Sequence, residues 1–138
     1  MIPTNPFDSN IRLLSKVLDL RAENQRVIGS NIANAETPGY APAKFNFEED
    51  LSNAINKDHS FHMKTPHPTH IPISPANFEN VQGNITRNPD NTGIGDENGV
   101  SVDEEMINLS KNQLMYETAA KLLKKKLSLL KYAIADGK

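Results

Sequence analysis

The feature that most constrains the fold lies in the last third of the chain. Val102, Met106, Leu109, Gln113, Tyr116, Ala120, Leu123, Leu127, Leu130 and Ile134 follow one another in steps of four and three without a break. Gln113 is the one polar member. Such spacing is the heptad seam of a coiled-coil strand. It predicts a helix over 101–135 that has a dry face to cover and cannot stand alone in water. At 1.5 Å per residue the helix is roughly 50 Å long. Ser101 and Glu104 have the spacing of a capping box that opens it. Asp103, Glu104 and Glu105 lie in its first turn and Lys121, Lys124, Lys125, Lys126 and Lys131 lie toward its end, so both groups complement the helix dipole. A lysine cluster also has a membrane-surface or nucleic-acid reading. A solvated helix face is the simpler account, and the net charge of -2 argues against non-specific nucleic-acid binding.

A second long helix is expected at the other end, over 5–36. Asn5 caps it and Pro6 suits its first position. Ile11, Leu14, Leu18, Ile28 and Ile32 form its stripe, with Leu13, Val17, Leu20 and Val27 beside it. Between the apolar blocks the stripe turns polar at Arg21, Asn24 and Gln25. The rise per residue gives a length of about 40 Å. The helix ends at Thr37-Pro38-Gly39-Tyr40, since proline cannot continue it and biases Thr37 to extended geometry. Pro38 and Gly39 suit the central positions of a type II turn. That turn lays 40–50 back along the helix with Tyr40 as anchor, and Asn31 and Asn34 are placed to bond its backbone or a neighbouring molecule.

The middle, 37–100, is broken by Pro38, Pro42, Pro66, Pro68, Pro72, Pro75 and Pro89. Within it 45–55 reads as a short helix with Phe47, Leu51 and Ile55 on one side. Residues 78–88 read as the arm of a small β-hairpin, and 88–99 as mobile turn chemistry. The expected fold is mainly α, a single domain over 1–138. Its terminal helices pair as an antiparallel coiled coil, with a long irregular middle. Leu, Ile, Val and Phe supply about a quarter of the residues, just above the roughly 20% below which chains usually stay disordered. A generous single core is therefore not expected. Both stripes are too wide for one partner: Leu13 flanks Leu14, and Leu122 and Leu129 flank the C-terminal seam. Some apolar surface is left for neighbours.

Catalytic motifs do not occur, and no cofactor or small-molecule substrate is expected. There is no cysteine, hence no disulfide framework. No apolar run approaches the roughly 18 residues that span a bilayer. The N-terminus has neither the basic nor the apolar region of a cleaved signal peptide. His59, His62, His67 and His70 fall within one short stretch. Structural zinc sites usually recruit cysteine and the prolines beside His67 hinder convergence, so solvent-facing or locally hydrogen-bonded histidines in an extended loop are expected and no metal.

Asn31-Ile32-Ala33-Asn34-Ala35-Glu36-Thr37-Pro38-Gly39-Tyr40 resembles the N-terminal signature of the bacterial flagellar rod and hook axial proteins. FNFEEDL (45–51), TPHPTHI (65–71, its spacing looser by one residue) and the helix from Val100 resemble segments of the short proximal rod members of that family. The resemblance covers nearly the whole chain except 80–99. It implies a structural subunit of the proximal rod of the flagellar basal body, assembling helically through its terminal helices and transmitting torque. Its partners would be other rod subunits, proteins at the rod base and copies of itself. Its place would be the periplasmic rod, reached by type III export without a cleaved signal. The implied assembly seam is Leu14, Leu18, Ile28 and Ile32 on one helix, and Val102, Met106, Leu109, Tyr116, Leu123, Leu127, Leu130 and Ile134 on the other. The competing class is a soluble coiled-coil adaptor or secretion chaperone, which would form a small closed oligomer.

Overall fold

The computed structural model describes residues 9–59, 77–89, 95 and 98–135. Two long helices dominate it, α1 (Ser9–Ala33) and α3 (Val102–Ala135). Between them lie strand β1 (Ala43–Asn46), helix α2 (Glu48–His59), a single 3₁₀ turn (Phe78–Asn80) and strand β2 (Asn84–Arg87). The expected cap at Asn5 and Pro6 lies outside the described residues, as do His62, His67 and His70.

Helices α1 and α3 run antiparallel. Asn98, just ahead of α3, bonds to residues that succeed α1. Farther along, Asn112 meets Arg21 and Asn24. Still farther, Leu18 shares a groove with Ala120, Leu123 and Leu127. At the head of α3 the Ser101 hydroxyl accepts from the Glu104 amide at 3.4 Å and the Ser101 carbonyl from Glu105 at 3.0 Å. Asp103, Glu104 and Glu105 occupy the first turn, where the dipole favours them.

The dry core sits on the other side of α1. Leu20 and Val27 from α1 meet Ala43, Phe45 and Phe47, then Leu51 and Ala54 of α2, then Phe78 and Val81. Leu13, Val17 and Ile55 pack around this cluster. Strand β1 alternates between buried and exposed residues, so Ala43 and Phe45 point inward and Lys44 and Asn46 outward. The Phe45 and Phe47 rings lie 5.3 Å apart, centre to centre, within the range of favourable aromatic pairs. Gly83 is held at φ 72°, and a Cβ there would lie 2.4 Å from the Phe45 ring. Only glycine fits that approach to β2.

The strand expected near 78–88 is β2, but it does not fold back on an adjacent arm. It pairs antiparallel with β1, Ala43 opposite Arg87 and Asn46 opposite Asn84. The pairing sets Ile85 opposite Phe45, and Asn46 adds a side-chain bond to Thr86 at 3.0 Å. Helix α2 begins later than 45, since 45 and 46 belong to the strand. Phe47 and Leu51 are buried and Ile55 is half-buried on its inward side.

The C-terminal seam is used on one flank only. Leu109, Ala120, Leu123 and Leu130 are half-buried, whereas Val102, Met106, Tyr116, Leu127 and Ile134 are exposed. The residues of α3 that are fully inside are Asn112 and Ala119. Gln113, the polar member of the stripe, faces solvent and bonds Glu117 at 3.2 Å. The polar residue inside the helix pair is Asn112, one position earlier. It is satisfied there on both sides, while Ala119 lets the two backbones approach. The helix is thus rotated away from the centre of its apolar stripe.

Candidate functional site

The end of α1 is built as a succession of tightening turns. The Asn34 amide bonds both Ser30 and Asn31 carbonyls, at 3.1 and 3.2 Å; Ala35 bonds Ile32 at 3.2 Å and Thr37 bonds Asn34 at 3.0 Å. The ladder passes from i−4 to i−3 spacing, and the helix ends at Ala33 rather than 36. The Asn34 side chain donates back to the Ser30 carbonyl at 2.8 Å and accepts from the Thr37 hydroxyl at 3.3 Å. Then Tyr40 N–H donates to the Thr37 carbonyl at 3.3 Å, across Gly39 at φ 69°. Proline at the first central position and positive φ at the second define a type II turn.

Beyond the turn the chain is held by Asn31, which is 1% exposed. The Asn31 Nδ2 donates to the Ala43 carbonyl at 2.7 Å and its Oδ1 accepts from the Ala43 amide at 2.9 Å. The side-chain amide thus pairs with a backbone residue as a neighbouring strand would. Tyr40 donates its hydroxyl to the same Oδ1 at 3.2 Å, leaving that hydroxyl to accept from Ser30 Oγ at 3.3 Å. Arg87 of β2 donates to the Ala41 carbonyl at 3.0 Å, with its guanidinium 5.9 Å from the centre of the Tyr40 ring. Turn, β1 and β2 therefore form one hydrogen-bonded unit against α1.

A second clamp comes from Asn98. Its Nδ2 lies 3.0, 2.8 and 2.7 Å from the carbonyls of Asn34, Ala35 and Thr37, and its Oδ1 accepts from the Val100 amide at 2.9 Å. Two hydrogens serve three acceptors, so one is shared. The bonds tie together the carbonyls at the end of α1, two of which also accept from backbone amides, and fix where α3 begins.

A polar layer crosses the molecule at mid-height. Arg21 bonds Glu48 at 2.8 Å and stacks 5.0 Å from the Phe47 ring centre. Its backbone carbonyl accepts from Asn112 Nδ2 at 2.9 Å, while Asn112 Oδ1 accepts from Asn24 at 3.0 Å. Asn112 is 2% exposed. Both ends of its amide are satisfied, which makes its burial tolerable and selects one register of α1 on α3.

Beyond these contacts, α3 leaves large apolar side chains open on two of its sides. Ile107, Leu114, Met115, Leu122, Leu129 and Tyr132 are exposed along with Val102, Met106, Tyr116, Leu127 and Ile134. Leu114 and Ile134 reach 65% and 70% exposure. Isolated exposed leucines are ordinary, but eleven large apolar side chains exposed along one helix, in two stripes, are not. On α1, Leu14, Leu18 and Ile32 are half-buried, whereas Ile28 is inside. The seam residues thus divide: Ile28 is consumed within the chain, and the α3 members largely face out.

The family model described as "Flagella basal body rod protein" matches residues 18–40. A flagellar basal body rod protein FlgB of Yersinia enterocolitica is 30% identical over 116 residues, covering 81% of this chain and 83% of the relative. The FlgB of Aeromonas hydrophila is 30% identical over 124 residues, 88% and 89% of the two chains. That of Escherichia coli is 30% identical over 124 residues, 85% and 86%. The chain belongs to the FlgB family. The stretch matched by the family model runs from the middle of α1 through the turn, so it holds Arg21, Asn24, Asn31, Asn34 and Tyr40 together. FlgB proteins are structural components of the flagellar basal body rod, and the family is not one of enzymes. Among the described residues no helix is long and apolar enough to cross a membrane.

Sequence reasoning missed three members of this FlgB-family site. Asn112 sits one position off the stripe centre and carries no periodic signal. Glu48 reads as an ordinary acidic first-turn residue. Asn98 lies in the stretch read as mobile turn chemistry, yet it is anchored to the end of α1. The signal for Asn98 was its place just ahead of the Ser101 cap, which had to be brought close to some part of α1.

Proposed function

We propose that this FlgB-family chain is a subunit of the proximal rod that assembles helically through its two terminal helices and transmits torque. The observation that carries the proposal is the exposure of most large apolar residues along α3, in two stripes between Val102 and Ile134. Such stripes become dry only when other helices lie on them, and a heterologous contact that does not close repeats into a tube. In this reading the partners are other rod subunits, proteins at the rod base and copies of this chain. The site of assembly is the periplasmic rod, reached by type III export.

The charges of α3 add a constraint on geometry. Asp103, Glu104 and Glu105 stand at one end and Lys121, Lys124, Lys125 and Lys131 toward the other. Parallel copies in full register would set like against like. Neighbouring α3 helices are therefore offset along the axis, bringing the acidic turn of one toward the lysines of the next.

In this role the clamped turn is mechanical. Asn31, Asn34, Thr37, Pro38, Gly39 and Tyr40 join the long helix to β1 without a flexible joint, so twist applied to α1 reaches the rest of the subunit. The test is a paired substitution on the open face, Leu122→Ser with Leu129→Ser, in a motile cell. The expected outcome is a stable chain, lost basal bodies and lost swimming. Normal swimming rejects the proposal. A purified chain that forms a small closed oligomer on its own supports the adaptor or chaperone reading instead.

A further inference from the structure

The sequence contains a single asparagine followed by glycine, Asn98-Gly99. Glycine carries no Cβ to shield its backbone nitrogen. This pair therefore offers the least hindered route for that nitrogen to reach the preceding side-chain amide. We propose that Asn98 is a site of spontaneous deamidation, and that the folded chain protects it while using the same amide as the clamp between α1 and α3.

The Gly99 nitrogen attacks Asn98 Cγ, forming a carbon–nitrogen bond and a five-membered succinimide. Nδ2 leaves as ammonia, taking up the proton that the Gly99 nitrogen releases. Water then adds to either carbonyl of the ring and opens it to aspartate or isoaspartate. The balance is one amide and one water in, one carboxylic acid and one ammonia out, with no redox change.

In the fold this reaction is opposed at both ends of the amide. Nδ2 is held at 2.7 to 3.0 Å from three carbonyls and Oδ1 at 2.9 Å from the Val100 amide. Ring closure needs the amide to turn its face to the Gly99 nitrogen, and a group pinned through both heteroatoms does not turn freely. The unfolded chain lacks these restraints. Once converted, the side chain can no longer donate. A carboxylate would face three carbonyl oxygens at the C-terminal, negative end of the α1 dipole. In the isoaspartate form the backbone is also longer by one carbon between clamp and cap. Both products release the start of α3 from the end of α1. The chemistry does not depend on the rod reading.

The test uses the full chain at mildly alkaline pH, with and without urea, tracked over days by peptide mapping and mass. The expected result is conversion at Asn98 in urea and conversion several-fold slower without it. Gly99→Ala should slow the reaction in urea. No conversion in urea, or equal rates in the two conditions, overturns the proposal. Asn98→Asp, made directly, should melt at lower urea than the parent, and an unchanged midpoint overturns the clamp. Should that variant fail to fold, hydrogen exchange on aged parent protein gives the same reading. Thr37, Tyr40 and Glu105 amides exchange faster in the converted fraction if the clamp exists, and at the parent rate if it does not.

Discussion

The two sides of α1 are built on different principles. Toward β1 and α2 it meets aromatic rings and small residues, with Val81 and Ala54 fully enclosed. Toward α3 it meets a helix whose inside residues are an asparagine and an alanine, while most of the large apolar residues of that helix face outward. The first side is a finished core. The second is specific, through Asn112 and Asn98, but weakly apolar. A chain of this kind has a body that is complete alone and one long helix held in register yet poorly covered. Local opening is expected to start at α3, where little apolar area is buried.

That contrast can be broken most severely in the core. Phe47→Ala removes a ring buried against Phe45 and Arg21, and truncations of this kind cost about 3–5 kcal/mol; urea unfolding monitored by circular dichroism reads it as a lower midpoint. Next is Asn31→Ala. It strands the amide and carbonyl of Ala43, and unsatisfied buried groups cost about 1–3 kcal/mol. Its distinctive mark is faster exchange of the Ala43 amide, with the centre of α1 unaffected. Glu48→Gln is smaller. Glu48 is well exposed on the solvent side of its pair with Arg21, and such pairs contribute about 0.2–1 kcal/mol. The loss should shrink in high salt, and a loss that salt leaves unchanged would point to the Arg21–Phe47 stacking instead. Smallest is Leu129→Ser on the isolated chain. On the open face it should change stability by no more than about 0.5 kcal/mol. A large loss would mean that the outward side of α3 is covered within the single chain, and the contrast between the two sides would fail.

The parts of the fold that local chemistry controls could be read from the residues. The α3 stripe, its Ser101 start, the stop at Pro38 and the positive φ of Gly39 each arise from a few adjacent side chains. The rest depends on where distant segments meet. Periodicity locates the centre of the stripe on α3, but not the flank that α1 takes. Asn112 inside and Gln113 outside differ by one position and have similar chemistry. Strands β1 and β2 are short and far apart in sequence, so no turn between them announces their pairing. Gly83, ahead of Asn84-Ile85-Thr86-Arg87, was the hint that a backbone had to pass close to something bulky. The role of Asn98 was hidden for the same reason, since three acceptors from one helix end say nothing about which donor will arrive.

The pairing of Asn31 with Ala43 has a consequence for load. Donor and acceptor lie on one planar group and close a ring with one backbone residue. A pull that slides α1 past β1 stretches both bonds together, so the joint gives way only when both fail at once. A tug on either bond alone tilts the amide, and Tyr40 braces it against that tilt from the side. The joint is therefore stiff to shear.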